Sequence, residues 1–240
     1  MTSQEFTSKL RAVCDQSLVS VILYGSAAAG DYIPKRSDYN ILMVLTRLRV
    51  EELKRIAPVV KSWVQDGNPP PRLFTLEGLA KSADLFALEL SDIKESRVLL
   101  YGQDVVSELR VARTHLRFQL EHELHSKLLQ LRERYLMAAG NPRLLQQLLV
   151  KSFSTFLALF RGALRLYQAD VPRMKLDVLA PLERHLGVDL EVFREVAALR
   201  DASRQPAGRT MEATFASYLI AIEAVIGSVE QALRSGEKEA

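Results

Sequence analysis

The chain has 240 residues, of which 48% are hydrophobic and 25% are charged, and this balance favours globular domains with a real core. The net charge is only +3 and no tight basic cluster is present, so nucleic acid is not the expected partner, although a small phosphate ligand would suit the charge. The single cysteine, Cys14, excludes an internal disulfide. The first residues do not resemble a signal peptide, and the longest apolar runs fall short of the roughly 20 residues that a membrane span needs. We therefore expect a cytoplasmic protein that does not enter a membrane.

The first hundred residues are predicted to alternate short strands with helices, as in α/β or α+β folds. An amphipathic pattern predicts a helix at the start, and the apolar run at 39–45 is long enough for a strand that is buried on both faces. The predicted helices cover residues 2–16, 50–65 and 76–82, and the predicted strands cover residues 19–24, 39–45, 72–75 and 86–91.

From about residue 104 onward the pattern is helical almost throughout. A long helix is predicted from near Leu109 to near Gly140, and Asn141-Pro142 reads as the cap and first position of the next one. Shorter helices are predicted over 175–186, closed by Gly187, and over 190–201. A loop at 205–208 leads to a last helix that carries Phe215 to Leu233. The second half is therefore predicted to be an antiparallel helical bundle.

One segment carries most of the functional signal. A predicted strand ends in Gly25-Ser26, small residues follow, and a polar turn leads through Asp38 to Asn40 in the next strand. Glycine allows close approach of a phosphate, and the amides of 27–29 with the Ser26 hydroxyl would form an anion site. Because side chains alternate along a strand, Asp38 and Asn40 are expected on one face, directed towards that phosphate.

This segment resembles the signature of the DNA polymerase β-like nucleotidyltransferase superfamily, which is Gly-Ser, a spacer of about ten residues and Asp-x-Asp. Gly25, Ser26 and Asp38 fall on that pattern. The resemblance implies that the Asp-x-Asp positions hold Mg²⁺ bound to a nucleoside triphosphate, and that a third carboxylate on a neighbouring strand completes the site. Glu89 is the predicted third carboxylate, with Asp92 as the second choice.

The stretches 84–94 and 98–104 resemble the third-carboxylate region of bacterial, aminoglycoside-type members, and a helical domain after the first domain resembles them too. The resemblance thus implies an α+β protein, in which a small mixed-sheet nucleotidyltransferase domain over 1–103 precedes a helical bundle over 104–240. In these enzymes the acceptor binds between the two halves.

The sequence departs from the family pattern at position 40, where asparagine replaces the second aspartate. An amide oxygen can coordinate Mg²⁺, but it is neutral and a weaker ligand than a carboxylate. The loss of metal-based transition-state stabilisation is expected to reach several kcal/mol, which slows turnover by orders of magnitude. We expect that the protein binds a nucleotide and catalyses poorly or not at all.

Lys35 and Arg36 precede Ser37 on the turn towards the expected phosphate. Their charges are suited to countering a triphosphate, although exposed lysines and arginines on turns need no such reason. They complete the predicted nucleotide-binding set of Gly25, Ser26, Lys35 and Arg36.

Histidine-containing patterns carry weaker signals. Arg110 with His115, and Arg117 with His122, have the Arg-x4-His spacing of the HEPN ribonucleases, but chance matches are expected in an arginine-rich helix. His122 and His125 lie near acidic residues in sequence, yet their mixed spacing does not predict a metal cluster.

The sequence leaves three functions open. The first is transfer of a nucleoside monophosphate from a Mg²⁺-bound triphosphate to a hydroxyl acceptor, either a small molecule or a protein. In this function Asp38 and Glu89 are the catalytic residues, and the metal ligands are Asp38, Asn40 and Glu89. The second is nucleotide sensing without turnover. The third is an antitoxin-like protein-binding role, which predicts a large apolar patch on the bundle. A homodimer is compatible with each of them.

Overall fold

The computed structural model of the protein describes residues 1–30, 38–168, 170–200 and 210–236, without the side chains of Asp15 and of 232–236. The chain divides into two compact units, Met1–Leu116 and Arg117–Ala240. The domain assignment made from the sequence, with its boundary after residue 103, stays a prediction.

The first unit is built around a mixed sheet. The described strands lie in the order β3-β2-β1-β4, with β1 antiparallel to β2 and to β4, and β2 parallel to β3. The elements, in chain order, are α1 (Ser3–Cys14), β1 (Leu18–Tyr24), α2 (Ser26–Ala29), β2 (Asn40–Leu45), α3 (Val50–Gln65), β3 (Arg72–Thr75), α4 (Leu76–Lys81), α5 (Ala87–Glu95) and β4 (Arg97–Gly102).

Both faces of this sheet are covered by helices, because alternate residues of the two central strands are apolar on each side. On one face, Val21 and Met43 pack in a cluster with Trp63 of α3 and with α1. On the other face, Ile22 and Leu42 pack in a cluster with residues of α4 and α5. We call this second side the α5 face.

The prediction of a strand over 86–91 is wrong, because these residues belong to helix α5 apart from Phe86, which precedes it. Ala87, Leu90 and Ile93 are buried at a spacing of three residues, which is the period of a helix. The alternating apolar residues of this segment fit a strand equally well. The segment is helical because its helical face packs against the sheet. The strand that completes the sheet is the next segment, β4.

The second unit is helical. The described elements are α6 (Arg113–Ala138, which begins within the first unit), α7 (Pro142–Leu164), α8 (Leu179–Leu186), α9 (Glu191–Arg200) and α10 (Met211–Gly236). The predicted caps are confirmed: the Asn141 side chain accepts hydrogen bonds from the first amides of α7, and Gly187 is left-handed at the end of α8. The protein is therefore α+β, with a mixed sheet followed by a helical region.

One bound of the helical prediction differs from the structure, and one predicted loop is not tested by it. The long helix begins at Arg113 rather than near Leu109, and Leu109 is buried in the core cluster on the α5 face. The loop predicted at 205–208 lies outside the described residues.

One helix of the second unit, over Met211–Gln231, is long and apolar enough to cross a membrane by length and composition alone. A helix of this length and composition was not predicted from the sequence, where only uninterrupted apolar runs were considered. About 44% of the apolar window is buried inside the protein, and Tyr218 and Ile222 are fully buried there, as expected for the core helix of a bundle.

Candidate active site

The candidate site lies at the end of the sheet where β1 stops and β2 begins. Gly25 follows β1 with φ 75° and ψ −151°, a backbone conformation that is essentially restricted to glycine. A Cβ atom at Gly25 would lie 3.1 Å from Nδ2 of Asn40. Glycine is thus required here both by the backbone conformation and by the close approach of the Asn40 side chain.

The predicted anion site at the start of α2 is smaller than the sequence suggested. The amides of Ala28 and Ala29 both donate hydrogen bonds to the carbonyl oxygen of Gly25, at 3.0 and 2.9 Å. The amides of Ser26 and Ala27 come first in this one-turn helix, where N–H groups have no intrahelical acceptor. Any phosphate contact from this turn therefore involves those two amides and the half-buried Ser26 side chain.

The two residues predicted to hold a metal ion from the first signature lie at the entry to β2. Asn40 is the first residue of the strand, is half-buried and pairs directly with Tyr24 of β1. Asp38 lies two residues earlier and is exposed. The Asn68 side chain, in the turn after α3, accepts a hydrogen bond of 3.3 Å from the Tyr39 amide between them. Asn68 thus helps to fix the backbone that carries both motif residues.

Glu89, the predicted third carboxylate, lies on helix α5 and not on a strand. Its carboxylate accepts a hydrogen bond from Arg72 at 2.6 Å, and Arg72 donates a second one to the Tyr24 hydroxyl at 3.1 Å. Partial burial opposes the charge on Arg72, but the Glu89 carboxylate and the Tyr24 oxygen outweigh it and raise the pKa of Arg72. Burial has the opposite effect on Tyr24 and raises the pKa of its hydroxyl, so both groups keep their protons at neutral pH.

These contacts place Glu89 on the same side of the sheet as Asn40. Residues paired directly across antiparallel strands point to the same face, so Tyr24 and Asn40 share a face. Tyr24 packs in the core cluster of the α5 face. Arg72 bonds both Tyr24 and Glu89, so the Glu89 carboxylate lies over the end of β1, where Asn40 is the neighbour of Tyr24.

Arg72, Tyr24 and Asn68 were missed by the sequence reasoning. The signal for Arg72 was its charge at the first position of a short predicted strand, and Asn68 stood in a predicted turn. Of the remaining candidates, Lys35 and Arg36 lie outside the described residues, as does Ser37. Asp92, the second choice for the third carboxylate, lies on α5 three residues after Glu89.

The donor set fits one Mg²⁺ ion that arrives with phosphates, and does not fit two ions. Mg²⁺ in proteins is commonly held by one or two carboxylates together with substrate phosphates. The entry to β2 offers the exposed Asp38 carboxylate and the neutral Asn40 amide, beside the space that glycine leaves at position 25. The charge of Glu89 is balanced by the Arg72 guanidinium, so among the described residues a second dication would find little uncompensated negative charge.

No protein-family model matches the sequence, and comparison with curated proteins finds no match. Among solved structures, the protein is similar to spectinomycin adenyltransferase AAD(9) from Enterococcus faecialis, which was crystallised with ATP and spectinomycin. The TM-score is 0.58 at 11% sequence identity, and the match covers 95% of this chain and 100% of the other. The fold is therefore nucleotidyltransferase-like. At this identity the likeness concerns the fold alone, and the chemistry must be argued from the site.

Proposed function

We propose that the protein is a slow nucleotidyltransferase, which transfers a nucleoside monophosphate from a Mg²⁺-bound triphosphate to the hydroxyl group of a small molecule. The observation that carries this proposal is the Gly25 turn, whose backbone conformation and missing Cβ leave space beside Asn40. A turn of this kind, at the end of a strand, allows the backbone to approach a phosphate closely. The fold around it is like that of an adenyltransferase crystallised with ATP.

In this proposal the phosphates lie against the Gly25 backbone and the Ser26 hydroxyl. Asp38 and Oδ1 of Asn40 hold the metal ion, and Lys35 and Arg36 counter the charge of the triphosphate. The ion supplies charge stabilisation to the phosphoryl oxygens as they gain negative charge. The exposed position of Asp38 suits an ion that enters and leaves with the nucleotide.

Glu89 is the proposed general base. The acceptor hydroxyl oxygen attacks the α-phosphorus, its proton passes to the Glu89 carboxylate, and the bond from the α-phosphorus to the bridging oxygen breaks to release pyrophosphate. Arg72 positions Glu89 through their 2.6 Å hydrogen bond. The rate is low because the neutral Asn40 contributes no charge to the metal site.

A second candidate is nucleotide binding without turnover, as in a sensor. Two observations favour it, which are the neutral amide at position 40 and the ion pair that occupies Glu89. Each of them reduces the negative charge available for metal, whereas the Gly25 turn, which would bind phosphate, is intact.

Calorimetric titration of ATP and the other nucleoside triphosphates, with Mg²⁺ and with chelator, tests the binding step shared by both candidates. Wild-type protein is expected to bind a triphosphate in a Mg²⁺-dependent manner, and both Ser26→Ala and Asp38→Asn are expected to weaken this binding about tenfold or more, since each removes a charge-assisted contact. Ser8→Ala and Glu51→Gln are the matched controls, because both residues are exposed and lie on helices away from this turn.

Turnover separates the two candidates. Labelled nucleotide is incubated with hydroxyl-bearing small molecules, beginning with spectinomycin, using wild type, Asn40→Asp and Glu89→Gln. Slow labelling that Asn40→Asp accelerates and Glu89→Gln abolishes supports the transferase. Binding without labelling, even in Asn40→Asp and with every acceptor, favours the sensor. Absence of any triphosphate binding in wild type and in Asn40→Asp would refute both.

A further inference from the structure

The second unit brings together three potential metal ligands that are far apart in sequence. Glu121 and His125 lie one helical turn apart on α6, and Glu230 lies on α10. Nε2 of His125 is 2.8 Å from Oε1 of Glu230, and one ligand atom from each of the three residues lies within 4.8 Å of the others. Local sequence patterns do not predict this cluster, because its third member comes from a helix about a hundred residues later.

The seam between α6 and α10 is held by other contacts, so the cluster is supported by its surroundings. Arg132 donates to Glu223 at 2.7 Å, and the Tyr135 hydroxyl donates to Glu212 at 2.9 Å. The Tyr135 ring also stacks on Phe215, with centroids 4.5 Å apart. The ligands therefore project from two helices that already contact each other along this seam.

The spacing of the ligand atoms suits a small divalent ion. Zn²⁺ binds imidazole nitrogen and carboxylate oxygen at about 2.0–2.2 Å, which places tetrahedral ligand atoms roughly 3.4 Å apart. The observed spacings, from 2.8 Å to at most 4.8 Å, bracket that value. One imidazole with two carboxylates suits Zn²⁺, Co²⁺ or Ni²⁺ better than Mg²⁺, which prefers oxygen ligands throughout.

We propose that Glu121, His125 and Glu230 form a binding site for a divalent transition-metal ion of the Zn²⁺ class, which links α6 to α10 in the second unit. The ion would take the place of the hydrogen bond between Nε2 of His125 and the Glu230 carboxylate. With three protein ligands, the fourth coordination position is left to water. The partial exposure of His125, at 51%, and of Glu230, at 38%, gives the ion a path from solvent. This site is independent of the proposed nucleotide site, which lies in the first unit.

The test is titration of the full-length, untagged protein with Co²⁺, followed by its visible absorption, and with Zn²⁺ by calorimetry. Wild type is expected to bind one equivalent of either ion at this site, and excess Mg²⁺ is expected not to compete. His125→Gln and Glu230→Gln are expected to lower the affinity about 100-fold or more, since losing even a group that only supports a metal ligand costs about 10- to 100-fold. Zn²⁺ is also expected to raise the temperature of unfolding in wild type and not in these variants.

The matched control is His122→Gln, which removes an 80% exposed histidine from the same helix and is expected to leave the affinity within about twofold. Asp38→Asn is the control for metal bound at the nucleotide site, and it is expected to have no effect here. Glu121→Gln keeps the His125–Glu230 contact, so it tests the site even if the other variants fold poorly. The proposal is overturned if wild type binds neither ion, or if Glu121→Gln and His125→Gln bind as tightly as His122→Gln.

Discussion

Replacement of Gly25 by alanine tests the geometry of the candidate site most directly. Alanine at this position must adopt φ 75° and ψ −151°, and its Cβ would meet the Asn40 side chain at 3.1 Å. Gly67 has φ 89°, and a Cβ atom added there would meet no described atom within 4 Å. Gly67→Ala is therefore the matched control for a positive φ without the contact.

The expected loss of stability has two parts. A backbone conformation of this kind costs about 1–3 kcal/mol in a residue other than glycine, and overpacking against a neighbouring side chain adds about 1 kcal/mol or more. We therefore expect Gly25→Ala to lower the free energy of unfolding of the first unit by about 2–4 kcal/mol. Gly67→Ala is expected to cost about 1–2 kcal/mol, since a left-handed conformation is its only penalty. A typical domain stability of about 5–15 kcal/mol leaves both variants folded.

Urea unfolding followed by tryptophan fluorescence measures this loss in the first unit alone. The chain has one tryptophan, Trp63, which is fully buried there and stacks on Phe6 with ring centroids 4.3 Å apart. In the double variant Gly25→Ala/Asn40→Ala, the clash with the Asn40 side chain is removed. The double variant is therefore expected to be more stable, by about 0.5 kcal/mol or more, than the sum of the two single losses predicts. The reasoning is refuted if Gly25→Ala costs no more than Gly67→Ala, or if the double variant shows no coupling.

Two further predictions concern ion pairs of the first unit. Arg72→Met is expected to change the free energy of unfolding by less than about 1 kcal/mol, because the ion pair of Arg72 with Glu89 is about two-fifths exposed. The same change is expected to increase the Mg²⁺ dependence of ATP binding, because it frees the charge of Glu89. An unchanged ratio of the ATP affinities measured with Mg²⁺ and with chelator would contradict this. The hydrogen bonds from Arg97 to Asp104 hold the pKa of Asp104 below its usual value. The ionised Asp104 therefore stabilises the folded state fully above about pH 4, and this stabilisation is lost as the pH falls through the lowered pKa. Asp104→Asn is therefore expected to reduce the acid sensitivity of the Trp63 unfolding transition, and an unchanged pH profile would contradict that assignment.

The candidate site carries less negative charge than the signature that the sequence resembles. Asn40 is neutral where that signature has an aspartate, and Arg72 balances the charge of Glu89, while Gly25 has a backbone conformation that is essentially restricted to glycine. Because dications depend on negative charge and phosphates depend on donors and space, we expect nucleotide binding to be preserved better than metal-dependent catalysis.

Much of the protein was determined locally by its sequence. The helix over Val50–Gln65 and the strand over Arg72–Thr75 were predicted with the bounds that the structure has, because apolar periodicity and the flanking turn residues specify them. The same holds for the caps at Asn141 and Gly187, where one side chain or one glycine satisfies the end of a helix.

Only the tertiary structure decided the features that depend on distant partners. Residues 86–91 carry apolar residues that suit either a strand or a helix, and packing on the sheet selected the helix. Arg72 and Glu89 form an ion pair across 17 positions, and His125 meets Glu230 across 105. Local patterns extend over a few residues, whereas such contacts arise only when separate elements pack together. For this reason the sequence predicted the glycine turn, but not the ion pair of Glu89 with Arg72 or the cluster of Glu121, His125 and Glu230.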